Sequence, residues 1–471
     1  MRAPAGALGV LGLSLALLTG AAAPSSAGSA ASGAPASAAR TGSAATPGAL
    51  SDPHPCPDQP GFTCSTLTVP LDHHGAAPGT LDLEVAASDN TDAPRGVLFF
   101  FGGGPGQASV PLVSHLAERM PKVAREYRIV TMDQRGTGRN AIDCPRLQKE
   151  AGTSDIAVPS RAAVEECAAI VGDDLPYYGT EQSIADYDLL RQALGVERVT
   201  VDGASYGAFA AARYAVAHPR RVSRVVLDSV LPHVSDPEVP LYLTGLQGQA
   251  RVLRTSCAAV PDCTWDPAAD LAWLVRHGVD DVALFDLLVN DFLDPNYAAV
   301  MTAMHKARAG DRAELDELLA GRQDGSAASP EDYSVGLHAA TFCTDARFPW
   351  GDSSAPLAGR AAALERAERR IPESRVWPYL PATATGNGFV QTCRYWPATR
   401  PAPAVHEDLP DVPVLLLVGD RDLSTPVEWT YEEAAHVPDG RVVVVPGANH
   451  SLQVFEQGTE GRQAVTAFLT D

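Results

Sequence analysis

Runs of apolar residues closed by glycine loops recur along this chain, and between them lie stretches with helical spacing. Val97 to Phe101 ends in Gly102-Gly103-Gly104-Pro105-Gly106, and Tyr127 to Met132 ends in Asp133-Gln134-Arg135-Gly136-Thr137-Gly138. Each reads as a buried strand feeding a glycine-rich loop. Ile184 to Leu194 carries apolar residues at helical spacing before Gly195, and the β-branched run Val199-Thr200-Val201 follows. Val222 to Leu227, Val412 to Val418 and Val442 to Val445 complete the series. Short β-rich runs alternating with helical stretches predict an α/β fold, a mostly parallel sheet with helices on both faces.

Between about Leu231 and Pro410 the β-rich runs stop. Leu241 to Ala259, Ala268 to Val275, Tyr297 to Ala309 and Arg312 to Leu319 read as helices. The pattern predicts a core in two pieces, 51–230 and 411–471, with a helical cap at 231–410 inserted between two late strands. A cap there would cover the strand ends, where open α/β sheets keep their sites.

Gly203-Ala204-Ser205-Tyr206-Gly207 joins the Val199 to Val201 run to the small-residue stretch Ala208 to Ala217. Strand, sharp turn and helix are what a G-x-S-x-G nucleophile elbow requires, and glycines two positions either side let the backbone fold back with the hydroxyl exposed. Ser205 is therefore the candidate nucleophile. The pattern also arises as an ordinary surface turn, so its meaning depends on a base, an acid and an oxyanion site elsewhere. His450, in Pro446-Gly447-Ala448-Asn449-His450-Ser451, is the one among twelve histidines on a glycine-containing loop after a C-terminal β-rich run. Asp422 lies in the loop after Val414 to Val418; Asp420 competes, but a residue a few positions past the strand reaches the histidine more easily. Ser, Asp, His is the chain order of an α/β-hydrolase. The Gly102 to Gly106 loop lacks dinucleotide or Walker spacing, and Pro105 removes a donor. As an oxyanion loop it fits better, with the amide of Gly103 or Gly104 joining that of Tyr206.

Composition narrows the setting. The chain has 471 residues, 45% hydrophobic and 20% charged, enough for a large core. Its formal net charge of -21 opposes nucleic acid and anionic membrane as partners. Arg2, the apolar stretch Ala7 to Leu18 and the small residues near Ala23 to Ala27 read as a secretory signal over 1–27, followed by a flexible Ala/Ser/Gly/Pro-rich leader over 28–50. No cysteine lies in or near that signal and no later apolar run is long enough to span a bilayer, so a soluble, secreted monomer is expected. All eight cysteines follow residue 50, an even number that favours disulfides over metal binding in an exported protein. Spacing suggests Cys56 with Cys64 and Cys257 with Cys263, leaving Cys144 with Cys167 and Cys343 with Cys393. Clustered metal ligands at short repeat spacing are absent from the sequence, and no metal or cofactor is expected.

The Gly-Gly-Pro-Gly loop, Asp133 to Gly138, the Ser205 elbow and the Gly419 to Pro426 loop, in this order, resemble the prolyl aminopeptidase and tripeptidyl aminopeptidase family of secreted α/β-hydrolases. Cys343-Thr344-Asp345 and Cys393 to Pro397 resemble segments of the tripeptidyl branch, and the similarity spans roughly 56–470. By that resemblance Ser205, Asp422 and His450 form the triad, and Gly103, Gly104 and Tyr206 lie at the oxyanion hole. Thr425, in the Asp-x-x-Thr-Pro turn, stands behind the triad. Phe101-Gly102, Gln107-Ala108, Ala204 and Ala208 depart from the family pattern without touching that machinery.

An aminopeptidase acts on peptides with free N-termini and must hold the α-amino cation, so a carboxylate should face the cleft from the cap. Asp345, Glu238 and Asp236 are the candidates. Arg135 reads as a structural ion-pair residue and Asp228 as a brace at the cap entry. Three functions follow: an exported serine exopeptidase, an esterase or amidase using the same triad, and a non-catalytic binding protein on a hydrolase scaffold.

Overall fold

The computed structural model describes residues 48–291, 296–325 and 328–471. Nine strands form one sheet: β1 Leu50–Pro55, β2 Phe62–Pro70, β3 Thr80–Ser88, β4 Val97–Phe101, β5 Arg128–Met132, β6 Val199–Ala204, β7 Val222–Asp228, β8 Val414–Gly419 and β9 Gly440–Val445. Their order is β1-β2-β3-β5-β4-β6-β7-β8-β9. From β5 across to β9 every neighbouring pair is parallel, while β1, β2 and β3 join the β5 edge antiparallel.

The period of two in β4 explains why this strand is buried throughout. Phe99 and Phe101 enter the core on one face, Leu98 and Phe100 on the other. Phe101 stacks on Tyr187 with ring centroids 4.0 Å apart, and Tyr214 packs edgewise on Phe99. Burying each such phenylalanine stabilises the fold by about 1.5–3 kcal/mol. The order in which strands are added also reverses at β4, because β5 lies on one side of it and β6 on the other. A crevice opens beyond the carboxyl ends of strands at such a point.

The antiparallel edge escaped the reading of apolar runs. In β3 the buried Leu81, Leu83 and Val85 alternate with the more exposed Thr80, Asp82 and Glu84, the period-two pattern of a sheet wetted on one face. The leader expected over 28–50 needs correction at its end: Gly48 N donates to Thr68 O at 3.0 Å, and Leu50 opens β1 and pairs with Leu67. The signal expected over 1–27 lies outside the described residues, as does the rest of that leader.

Between β7 and β8 the described residues contain helices and turns and no strand. Leu243–Ala259, Pro267–Arg276, Ala298–Arg308 and Ala313–Gly325 fall on the four expected segments. Asp266 caps the second of these, accepting from the amides of Ala268 and Ala269. The helix Val335–Asp345 ties this region to the core, since Ser334 N donates to Gly106 O at 2.8 Å and Ala108 N to Asp332 O at 3.0 Å. Four disulfides join Cys56 to Cys64, Cys144 to Cys167, Cys257 to Cys263 and Cys343 to Cys393, the pairs that spacing suggested. Among the described residues no helix is long and apolar enough to cross a membrane.

Candidate active site

Ser205 stands between β6 and the helix Tyr206–Ala217 with φ 59° and ψ -127°. A serine in that conformation is strained, and the surrounding fold has to hold it there. Two glycines make the turn possible. A Cβ on Gly203 would sit 2.1 Å from Gly207 O, and one on Gly207 would sit 2.0 Å from Phe101 O. Ser205 N donates to Asp228 O at 2.9 Å, fixing the turn from the β7 side.

His450 and Asp422 come from the loops after β9 and β8. His450 Nδ1 donates to Asp422 Oδ2 at 2.9 Å, and Asp422 is fully buried. The carboxylate also accepts from the amides of Ser424 and Thr425 and from Thr425 Oγ1, each at 2.9 Å. Four donors on one carboxylate fix its orientation and that of the imidazole it faces. Burial alone would lower the His450 pKa; the attraction of Asp422 outweighs it and holds the value above that of an ordinary histidine. Asp420 instead accepts from Gly447 N at 2.7 Å, steadying the turn that carries His450.

The expectation for Asp228 is corrected. This fully buried carboxylate, whose pKa burial pushes up to about 6, accepts from the amides of Leu452 and Gln453, directly after the histidine loop. Beside it Ser229 Oγ accepts from Ser451 N at 2.7 Å. Asp228 therefore braces the loop that carries His450 rather than the start of the helical region.

Gly103 approaches the elbow closely, a Cβ there lying 3.5 Å from Ser205 Cβ. Tyr206 opens its helix, so its amide is one of the first-turn N–H groups with no intrahelical partner. Asp133 Oδ1 accepts from Ser109 and Val110 N, anchoring the chain just beyond the glycine loop, and burial raises its pKa to about 6. Gln134 Nε2 reaches Tyr206 Oη at 3.2 Å. Arg135 pairs with both oxygens of Asp186, at 2.6 and 2.7 Å, the two side chains being buried; this is the structural ion pair that was expected.

A cavity of about 250 Å³ brings Ser205, Tyr206, Gly103, Gly104, Thr425 and His450 together at the strand ends. None of the three carboxylates expected at the substrate amine lines it. Asp345 is turned to Thr180, accepting from its amide at 3.0 and 3.2 Å and from its hydroxyl at 2.5 Å. Glu238 is exposed and pairs with Arg375 at 2.9 Å, and Asp236 Oδ1 accepts from Glu238 N. Asp345, Glu238 and Asp236 thus act in helix bracing and on the surface. Among the described residues the carboxylate that does line the cavity is Asp155, in the turn Gly152-Thr153-Ser154-Asp155, and no periodicity marks it in the sequence. The His54, Cys64 and Glu84 side chains lie near one another, but Cys64 is in a disulfide and Glu84 pairs with His54 and Arg139.

Residues 96–457 match the family model of the alpha/beta hydrolase fold. The chain belongs to that family. A tripeptidyl aminopeptidase of Streptomyces lividans is 25% identical to this α/β-hydrolase over 418 residues, covering 78% of this chain and 74% of that protein. The serine protease Hip1 of Mycobacterium tuberculosis is 24% identical over 466 residues, covering 87% and 85%. A probable proline iminopeptidase of Streptomyces coelicolor is 33% identical over 144 residues, 31% of this chain and 35% of that protein. Among solved structures, the proline iminopeptidase of Mycobacterium smegmatis covers 86% of this chain and 97% of its own at 18% identity and a TM-score of 0.39. This α/β-hydrolase is a serine hydrolase whose relatives are serine peptidases and aminopeptidases.

Proposed function

We propose that the protein is an exported serine aminopeptidase that releases a short peptide or a single residue from a free N-terminus through an acyl-enzyme on Ser205. The observation that carries this reading is the Asp422–His450 pair, held at 2.9 Å, whose histidine lines the same cavity as a serine on a strained elbow. His450 takes the Ser205 proton as the hydroxyl attacks the scissile carbonyl, and Asp422 stabilises the imidazolium that forms. The amides of Tyr206 and of Gly103 or Gly104 receive the developing oxyanion, and removing such a donor typically costs about 10² to 10³ in turnover. His450 then protonates the leaving amine, and water releases the acyl group by the reverse sequence. Relatives named tripeptidyl aminopeptidase and serine protease, matched over most of the chain, support the peptide as substrate. Four disulfides and the signal-like N-terminus support export.

The test is a panel of tripeptide, dipeptide and prolyl chromogenic substrates with free and acetylated N-termini, beside a p-nitrophenyl ester. Acetylation is expected to abolish peptide turnover. Equal turnover with and without acetylation, or ester cleavage alone, would overturn the reading in favour of an esterase or amidase.

A further inference from the structure

Among the described residues, the carboxylate that lines the cavity of Ser205 and His450 is Asp155, and it is not one that the sequence pointed to. Asp155 lines the cavity together with Tyr242, Tyr333 and His338. It is half-buried, and its recorded partner is the Tyr242 hydroxyl, which donates to Oδ2. No lysine or arginine pairs with Asp155 among the described residues, although its neighbour carboxylate Asp286 faces Arg322. A partly desolvated carboxylate with a single hydroxyl donor has lone pairs left for a further one.

The groups around it are neutral. Burial and the nearby Asp155 charge push the Tyr242 and Tyr333 hydroxyls up, so both keep their protons. Burial pushes the His338 imidazole down, against the pull of Asp155, so it stays uncharged near neutral pH. His338 Nδ1 donates to Pro105 O at 2.9 Å, which leaves the other ring nitrogen as an acceptor. A carboxylate among neutral acceptors, with the nearby Arg322 engaged by Asp286, suits an ammonium group. It does not suit a carboxylate or a phosphate.

The position is fixed rather than accidental. Ser154 Oγ accepts from the amides of Ile156 and Ala157 and donates to Asp286, which clamps the turn on both sides of Asp155. The Cys144–Cys167 disulfide closes the segment that contains it. Asp155 is also close enough to His450 for its charge to favour the imidazolium. The anchor and the catalytic base therefore share one electrostatic neighbourhood.

We propose that Asp155 binds the α-ammonium group of the substrate N-terminus and so sets the exopeptidase register. This rests on the aminopeptidase reading above. The experiment compares kcat/KM for a free-amine peptide p-nitroanilide with that for its desamino analogue, in the wild type and in Asp155→Asn. The expected result is a wild-type preference for the free amine that falls by roughly 10²-fold in the variant, the size of one charge-assisted contact. Asp155→Ser, smaller and still able to meet the Tyr242 hydroxyl, gives the same readout should the amide variant not fold. A preference that survives in either variant overturns the assignment while leaving the aminopeptidase intact. A wild type with no preference removes the aminopeptidase reading itself, and Asp155 with it.

Discussion

The floor and the wall of the catalytic cavity are built by different rules. The floor consists of strand-end loops: the Gly102 to Gly106 loop after β4, the elbow after β6, and the Asp422 and His450 loops after β8 and β9. There Asp422 is held by the amides of Ser424 and Thr425 just after it, and the histidine loop by Asp228 and Ser229 at the end of β7. The wall comes largely from the helical region between β7 and β8, through Tyr242, Asn290, Tyr333, His338 and Phe342, and from the Asp155 turn. Its contacts cross long stretches of chain, as in Tyr242 to Asp155 and His338 to Pro105. Local rules shape the serine elbow and the Asp422 turn, and tertiary packing shapes the wall.

The largest effect that separates the two is expected at the nucleophile. Ser205→Ala should lower kcat by about 10⁴-fold or more while leaving Tm unchanged, since triad members act as a unit and a hydroxyl contributes little to the turn. Turnover within tenfold of the wild type would remove Ser205 from the floor's chemistry.

That division also governs what could be read from the chain. Glycines at 203 and 207 carry a steric demand that is visible in sequence, because any Cβ there would meet Gly207 O or Phe101 O. Asp422 outranked Asp420 on loop position, and the contacts of the two agree with that order. Asp345 is harder to read for the opposite reason: it closes a helix, yet it does not line this cavity and Thr180 donates to both of its oxygens. Asp155 lies in a polar turn with no repeat, glycine demand or strand end to mark it. Only the fold brings Tyr242, 87 positions away, onto its carboxylate. The alternating strands β2 and β3 were passed over because continuous apolar runs mark buried parallel strands, not the wetted antiparallel edge.

Next in size is the wall's own staple. Replacing Cys343 and Cys393 by serine opens a link across a separation of 50 residues. Chain-entropy reasoning puts the loss near 4 kcal/mol. Denaturant unfolding measures it, and kcat/KM for peptides should fall further than the rate of Ser205 labelling by a small fluorophosphonate. An equal fall in both would mean that wall and floor unfold together.

A smaller effect lies behind the floor. Asp202, in β6 three residues before the nucleophile, is fully buried, and burial raises its pKa to about 8 with Asp228 adding to the rise. A carboxyl whose folded pKa exceeds its unfolded value of 3.8 is more protonated in the native state, so its contribution to stability falls as pH climbs from about 4 to about 8. Asp202→Asn retains an acceptor for Gln453 Nε2 and should gain stability over the wild type, by about 1–3 kcal/mol at pH 8 and less at pH 5. Paired Tm scans at the two pH values measure this, and a pH-independent difference would contradict it.

The smallest expected effect is a shift along the pH axis. Because Asp422 holds the His450 pKa above 6.5 and the base must be neutral to accept the Ser205 proton, kcat/KM should rise through a midpoint above that value. An acid limb at or below 6.5 would mean that His450 is not held as the structure has it.

The central claim is that the floor carries the nucleophile, and active-site labelling tests it most directly. The wild-type protein is treated with a fluorophosphonate at neutral pH, digested and mapped by mass spectrometry. One modified residue, Ser205, is expected, with labelling suppressed in His450→Ala. A label on another serine, or an unlabelled Ser205 in folded protein, would contradict it.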